Sequence, residues 1–277
     1  MKPKPKPAAR GRAQRKVILR LEGISKSFGS VVALNGVSFE IFDNEKIALV
    51  GDNGAGKSTL IKIISGNFPP DSGEMYLDGR KVSFKSPVDA RKAGIETVYQ
   101  DLSLCPNMDV VANFFMGREL TRNILGLKLL RERAMREETE RSLREIGTRI
   151  PSVLTAVEHL SGGQRQAVEL CRFVHWGGKL VLLDEPFAAL GVRQTHRGLE
   201  LIEQVKARGV AVIVITHNML HAFQVADRIV VLRQGRVAGV RRIAETTTDE
   251  VVELITGERI EPRRPAAASP IDSRSNG

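Results

Sequence analysis

The stretch Gly51-Asp52-Asn53-Gly54-Ala55-Gly56-Lys57-Ser58-Thr59 has the spacing G-x-x-x-x-G-K-[ST]. Glycines at these places let the backbone curl until successive N–H groups face phosphate oxygens, and a helix beginning there adds the positive end of its dipole. Lys57 then reaches the β- and γ-phosphates, while Ser58 presents a hydroxyl to Mg2+. Gly51, Asn53, Gly54, Gly56, Lys57, Ser58 and Thr59 are therefore candidate ligands of ATP. Such a site needs a carboxylate at the end of a buried strand, and Leu180-Val181-Leu182-Leu183-Asp184-Glu185 supplies two in succession. Asp184 is the metal-side candidate. Glu185 is the candidate that orients or deprotonates the water attacking the γ-phosphorus.

The elements around these residues have the right order. Ile47 to Val50 is an unbroken apolar strand that runs into the glycine loop, and Leu60 to Ile64 continues at helical spacing. Glu96 to Tyr99, Leu180 to Leu183, Val210 to Ile215 and Ile229 to Leu232 read as further short strands, the middle two apolar enough to be buried on both faces of a parallel sheet. Val17 to Leu21 and Val37 to Ile41 read as an antiparallel pair joined through Gly29 and Gly36. Residues from about 101 to 165 show no strong strand pattern, and Arg131 to Ile146 is charge-dense with Met135, Leu143 and Ile146 on one stripe. This segment is expected to be a mostly helical lobe inserted between strands of the α/β core.

Leu160-Ser161-Gly162-Gly163-Gln164 precedes the Asp184 strand. In physical terms it is a second anion cradle, a hydroxyl and exposed N–H groups at a helix start; a plain helix N-cap is the alternative reading of Ser161. On this motif the chain resembles the ABC transporter ATPases, and the resemblance runs over roughly residues 18 to 257. It implies a P-loop NTPase core with a mixed sheet, an antiparallel β edge subdomain and an inserted helical subdomain. The ABC ATPase domain then spans 17–257, with basic and C-terminal tails at 1–16 and 258–277 expected to be disordered. The resemblance further implies that Ser161, Gly162, Gly163 and Gln164 grip the γ-phosphate of ATP held by a second copy, in a homodimer that sandwiches two nucleotides. Phe28 falls where the family places an aromatic ring on adenine, Gln100 where a glutamine touches Mg2+ or its water, and His217 where a histidine contacts the γ-phosphate.

One departure stands out. After Asp184-Glu185-Pro186 the chain reads Phe187-Ala188-Ala189-Leu190-Gly191, with Gly191 in place of the family's usual loop aspartate. The Ala-Ala-Leu-Gly-Val form, Val98 to Leu104 and Val110 to Glu119 are similar to bacterial importers of simple sugars such as ribose, xylose and fructose. That similarity implies two membrane permease subunits as partners, indirectly a periplasmic sugar-binding protein, and a place on the cytoplasmic face of the cell membrane. The permeases are expected to dock at a groove near Gln100 and the apolar residues Val110, Val111, Phe114 and Phe115, for which the core of the helical lobe is the commoner reading.

The distribution of charge argues against nucleic acid as the target. Of the net charge of +10, residues 1–16 carry +7 and residues 258–277 carry +1, which leaves +2 for the body. A soluble ATPase of the same family acting on ribosomes or nucleic acid is the alternative, but a nearly neutral body makes a poor phosphate-backbone footprint, and no nucleic-acid partner is expected. A small-molecule kinase would leave Leu160 to Gln164 unexplained. Cys105 and Cys171 have neither metal-site nor disulfide-framework spacing and read as packed thiols in a reducing compartment.

Overall fold

The structure, a computed structural model, describes residues 15–98, 104–145, 147–176, 178–187 and 192–258. It opens with a hairpin of β1 (Val17–Phe28) and β2 (Val31–Phe42), then β3 (Lys46–Val50) and helix α1 (Lys57–Ile64). A second hairpin, β4 (Ser72–Leu77) and β5 (Arg80–Val82), precedes α2 (Pro87–Ala93) and β6 (Ile95–Val98). Next come α3 (Val110–Phe115), the hairpin β7 (Thr121–Ile124) and β8 (Leu127–Leu130), α4 (Glu132–Glu145) and α5 (Gly162–Trp176). The chain then alternates through β9 (Leu180–Asp184), α6 (Val192–Ala207), β10 (Ala211–Ile215) and α7 (Met219–Val225). It ends with β11 (Arg228–Arg233), β12 (Arg236–Arg242) and α8 (Thr248–Thr256).

Six strands form the central sheet in the order β12-β11-β3-β10-β9-β6; all are parallel except β12, which pairs antiparallel with β11 at one edge. β3 and β10 are buried along their whole length, which is why they are unbroken apolar runs. Alternate residues sort the two faces. Ile47, Leu49, Leu180, Leu182, Ile213 and Ile215 join one core with α1 and the first hairpin, while Ala48, Val50, Val181, Leu183, Val212 and Val214 join the other with α3, α4, α5 and α6. β2, β1, β4 and β5 make a separate antiparallel sheet on the first face. The two sheets are tied by the fully buried Glu45, whose carboxylate takes two hydrogen bonds from Arg228 at 3.0 and 3.1 Å and one from the Phe42 amide.

Several expectations need correction. Gly29 does form the β1–β2 turn, but Gly36 lies within β2 beside a register shift, at φ +69°. β4, β5 and β12 escape a reading based on apolar runs, because their solvent-side residues are charged or they are only three residues long. The segment between β6 and β9 holds helices, as expected, but also the β7–β8 hairpin. Three hairpins share one device: Asp78-Gly79, Leu125-Gly126 and Gln234-Gly235 all put two successive residues at positive φ, the turn that matches strand twist. Met135 and Leu143 are buried on α4 as the stripe predicts, whereas Ile146 lies outside the described residues.

Val110, Val111, Phe114 and Phe115 do not offer a docking groove. All four are buried in the core beneath α4 and α5, and the Trp176 indole N–H donates to the Phe114 carbonyl at 2.9 Å. A six-residue helix this apolar is stable only when its faces are covered.

Candidate functional site

The phosphate loop follows the buried end of β3. Gly51 sits at φ +151°, and a β-carbon there would stand 2.2 Å from the Leu232 carbonyl oxygen. At Gly56, φ is +102° and a β-carbon would stand 2.6 Å from the Ala33 carbonyl. Only glycine fits either place. The loop is anchored from behind: the Gly235 amide donates to the Ala55 carbonyl at 3.1 Å and the Asn35 amide to the Gly235 carbonyl at 2.8 Å, so the β11–β12 turn and β2 both brace it. Helix α1 starts after Gly56 with no side-chain cap and no acid in its first turn, which leaves its first amides available to an anion.

Phe28, Asn53, Gly54, Gly56, Lys57, Ser58, Thr59, Asp184, Glu185 and His217 line one cleft of about 560 Å³. Nine of these come from three segments that the motif order brings together, the phosphate loop with the start of α1 and the ends of β9 and β10; Phe28 comes from the end of β1 and is half exposed, its ring edge-on to Phe68 with centroids 5.4 Å apart. Lys57 Nζ donates to the Gly51 and Asp52 carbonyls at 2.6 and 2.9 Å. Burial pulls its pKa below the ordinary lysine value, while Glu185, Asp52 and Asp184 pull the other way. Asp184 is pushed above the ordinary aspartate value, first by burial and then by the neighbouring Glu185 charge, with Lys57 and Lys62 opposing. Two adjacent carboxylates and one lysine make a site whose charge balance improves when a cation enters.

Glu185 stands at φ +49°, an uncommon conformation for this residue type, with its amide bonded to the Ile215 carbonyl at 2.9 Å. The bend turns its carboxylate toward the end of β10. There Oε1 accepts from the His217 amide at 2.9 Å and lies 2.7 Å from His217 Nδ1, and Oε2 accepts from the Thr216 hydroxyl at 3.3 Å. An ionised carboxylate only accepts, so the proton of the imidazole belongs on Nδ1, and Nε2 is left for another partner. Thr216 is a residue the sequence reading passed over. Its hydroxyl also accepts from the Asn218 amide at 3.1 Å, which fixes the turn carrying His217.

Ser161 to Gln164 do not line this cleft. They begin α5, where the Gln164 amide donates to the Ser161 hydroxyl at 3.3 Å and the Gln164 side chain accepts from the Ser161 amide at 3.0 Å. This reciprocal pair is a capping box, so Ser161 is a helix N-cap in this structure. Ser161 and Gly162 are exposed. Gln100 and Gly191 lie outside the described residues. The elements flanking Gln100 are held firmly, however: Glu96 of β6 pairs with Arg118, whose guanidinium lies 5.0 Å from the Trp176 ring centre. The fully buried Asn113 side chain is bonded to the Cys105 amide and to three carbonyls of residues 105–109.

Residues 34–188, more than half of the chain, match the family model described as ABC transporter. The chain therefore belongs to the ABC transporter ATP-binding family. Among its relatives in that family, a xylose/arabinose import ATP-binding protein of Sulfolobus acidocaldarius is 47% identical over 239 residues, covering 86% of this chain and 94% of the relative. A fructose import ATP-binding protein of Rhizobium meliloti is 45% identical, covering 91% and 98% respectively. A ribose import ATP-binding protein of Hahella chejuensis is 39% identical over 88% of this chain, which spans 48% of that longer protein. Among solved ABC cassettes, the ADP conformation of MJ1267 superposes with a TM-score of 0.73 at 27% identity, covering 87% of this chain and 99% of that one. The mixed sheet, the antiparallel sheet and the helices between β6 and β9 are thus the ABC ATPase fold, and the chain is an ABC-type ATPase.

Proposed function

We propose that this chain is the ATP-hydrolysing subunit of an ABC importer of simple sugars, acting as a homodimer on the cytoplasmic face of the membrane beneath two permease subunits. The observation that carries the hydrolytic part is the convergence of Lys57, Asp184, Glu185 and His217 on one cleft, with Glu185 held at a bend of positive φ. The sugar assignment rests on the names of the relatives, which also weigh against ribosomes or nucleic acid as the target. Among the described residues no helix is long and apolar enough to cross a membrane, so the proposed transport depends on other subunits.

In this reading Phe28 stacks on adenine, the loop from Gly51 to Thr59 wraps the phosphates, and Lys57 neutralises the β- and γ-oxygens. Glu185 orients the attacking water and accepts its proton, while His217 presents Nε2 to the γ-phosphate. The Ser58 hydroxyl and the Asp184 carboxylate border the same cleft and form a hard-oxygen donor set suited to Mg2+, with Gln100 as a further donor by resemblance. Held by these residues, Mg2+ would supply positive charge against the negative charge that develops during phosphoryl transfer. Ser161, Gly162, Gly163 and Gln164 serve the nucleotide of the second copy. The exposed start of α5 and the absence of Ser161 to Gln164 from the lining of the chain's own cleft are what favour action in trans. The domain is proposed to run over 17–257, with residues of about 101–165 as its inserted lobe. Just ahead of it, Arg15 and Lys16 of the expected tail contact Glu45 and Asp78, at 4.0 and 2.5 Å.

The test is reconstitution with a sugar permease and its sugar-binding protein from the same organism. Phosphate release should rise several-fold when the binding protein carries xylose, arabinose, fructose or ribose. Basal hydrolysis that responds to none of these sugars, and responds instead to RNA or ribosomes, would overturn the importer reading and leave the ATPase assignment standing.

A further inference from the structure

The β7–β8 hairpin is unlike the rest of the fold. It forms a two-stranded sheet of its own, and all of its residues from Thr121 to Leu130 are exposed, although five of them are large and apolar. Two strands with neither face covered are marginal in water, and exposed apolar clusters on soluble domains mark contact surfaces. The pairing register sorts its side chains. Ile124 faces Leu127 and Arg122 faces Leu129, so one side of the ribbon carries Ile124, Leu127 and Leu129 with a single arginine at its base. At the tip Leu125 is 99% exposed and stands at φ +51°, where asparagine or aspartate is the ordinary choice. Nothing in the fold requires a leucine there.

The charge of the hairpin itself has one sign, with Glu119 and Glu132 just outside it. From Leu120 to Arg131 there are three basic residues, Arg122, Lys128 and Arg131, and no acid. Among the described residues none of the three joins an ion pair, and of the two acids lining the shallow cleft at the hairpin base, Glu137 is taken by Arg133 at 2.9 Å. Arg122 lies two residues from Ile124, about 7 Å along the strand. That is close to the depth between the acyl boundary and the phosphates of a bilayer, into which interfacial segments sink by about 5–10 Å.

We propose that the β7–β8 hairpin is a membrane-surface contact, its leucine tip entering the interface of an anionic bilayer while Arg122 and Arg131 toward its base, and Lys128 on the ribbon's other face, hold lipid phosphates. A protein groove would cover the leucines equally well, but it gives no reason for three unpaired cations around them; an anionic lipid surface accounts for both features. The contact adds to the proposed permease docking and needs neither nucleotide nor permease, so it stands or falls separately from the importer reading.

The test uses the purified full-length protein and vesicles of phosphatidylcholine with or without about a third phosphatidylglycerol. The protein should sediment with the anionic vesicles. Leu125→Asp/Leu127→Asp should lower the bound fraction by about tenfold or more, since each leucine withdrawn from an apolar medium is worth roughly that factor. Arg122→Gln/Lys128→Gln/Arg131→Gln should weaken binding and flatten its dependence on salt. Both variants should keep basal ATP hydrolysis, which shows that they fold. In Leu125→Trp, emission should shift to the blue on anionic vesicles and be quenched by lipids brominated in the acyl chain, against the constant background of Trp176. Binding that survives the leucine changes would belong to the basic segment 1–14 and would overturn the proposal, as would an unshifted Leu125→Trp spectrum. Leucine variants that bind vesicles normally but no longer co-purify with the permease would assign the face to protein instead.

Discussion

Replacing Glu185 by glutamine is the sharpest test of the cleft chemistry, because the structure makes it nearly silent in every respect but one. The carboxylate takes two contacts from His217 on Oε1 and one from Thr216 on Oε2. A glutamine whose carbonyl oxygen faces His217 keeps both of those, and its amide can donate to the Thr216 hydroxyl, which accepts as readily as it donates. What is lost is the charge assistance of these bonds, a stability change of about 1 kcal/mol. Nucleotide affinity should therefore stay within about threefold of wild type, since Lys57, Ser58 and the loop amides are untouched. The amide has no useful basicity, and loss of a general base costs about 10²–10⁴ in rate, or about 3–5 kcal/mol of transition-state stabilisation. Fluorescent-nucleotide titration measures the first quantity and phosphate release at saturating Mg-ATP the second. In the proposed homodimer the blocked variant should also accumulate as a nucleotide-bound pair by light scattering. Phosphate release within twofold of wild type, with binding intact, would remove Glu185 from the role assigned to it.

Two further outcomes follow from single side chains. Phe28→Ala removes a half-exposed ring from the cleft mouth and should raise KM for ATP about 5- to 100-fold with kcat unchanged, as expected for loss of about 1–3 kcal/mol of base stacking felt equally in ground and transition states; an unchanged KM would place adenine elsewhere. Cys171 is fully buried and its thiol is pushed up to about 12, so it should resist alkylation at pH 8 in the folded protein while the partly accessible Cys105 is labelled, a pattern peptide mass spectrometry reads directly. Its raised pKa also sets a direction. Below about pH 9 the thiol is neutral whether folded or not, and from there to about pH 12 only the unfolded chain ionises, so stability falls by up to about 1.4 kcal/mol per pH unit. Urea melts of wild type and Cys171→Ala between pH 8 and 10 should differ by that slope.

The parts of the site that were legible in the sequence are those whose chemistry is local. Lys57 and Ser58 follow their glycines directly, Asp184 and Glu185 end an apolar run, and His217 ends another; each motif carries its own strand or helix beside it. Parallel strands buried on both faces were legible for the same reason, since Ile47 to Val50 and Ala211 to Ile215 contain no polar residue. Strands that alternate with charges were not. β12 lies at the sheet edge with Arg236 and Arg242 exposed to water, where apolar periodicity cannot report them. Asp78-Gly79 was a readable hairpin signal, but Leu125-Gly126 and Gln234-Gly235 use first residues that ordinarily avoid positive φ. Phe114 and Phe115 illustrate an ambiguity: an apolar cluster on a short helix fits lobe core or a partner's surface, and the helices that cover it decide for core.

What no local reading reaches is the bracing of the phosphate loop. The glycine pattern states that the loop must curl, yet the contacts that exclude any β-carbon come from Leu232, Ala33 and Leu34, each distant in sequence. Gly235 is the connecting piece: its amide and carbonyl bridge Ala55 to Asn35, and a β-carbon on it would itself meet the Ala33 carbonyl at 2.8 Å. The β11–β12 turn therefore presses the first hairpin against the loop from one side while β3 feeds it from the other. Phe28, Val31 and Val32 are carried to the cleft by that same hairpin. A single long-range packing arrangement thus sets two distances at once, that from the loop amides to the phosphates and that from the aromatic wall to the base, which is why the antiparallel sheet must pack on the central sheet before a nucleotide of fixed length can touch both.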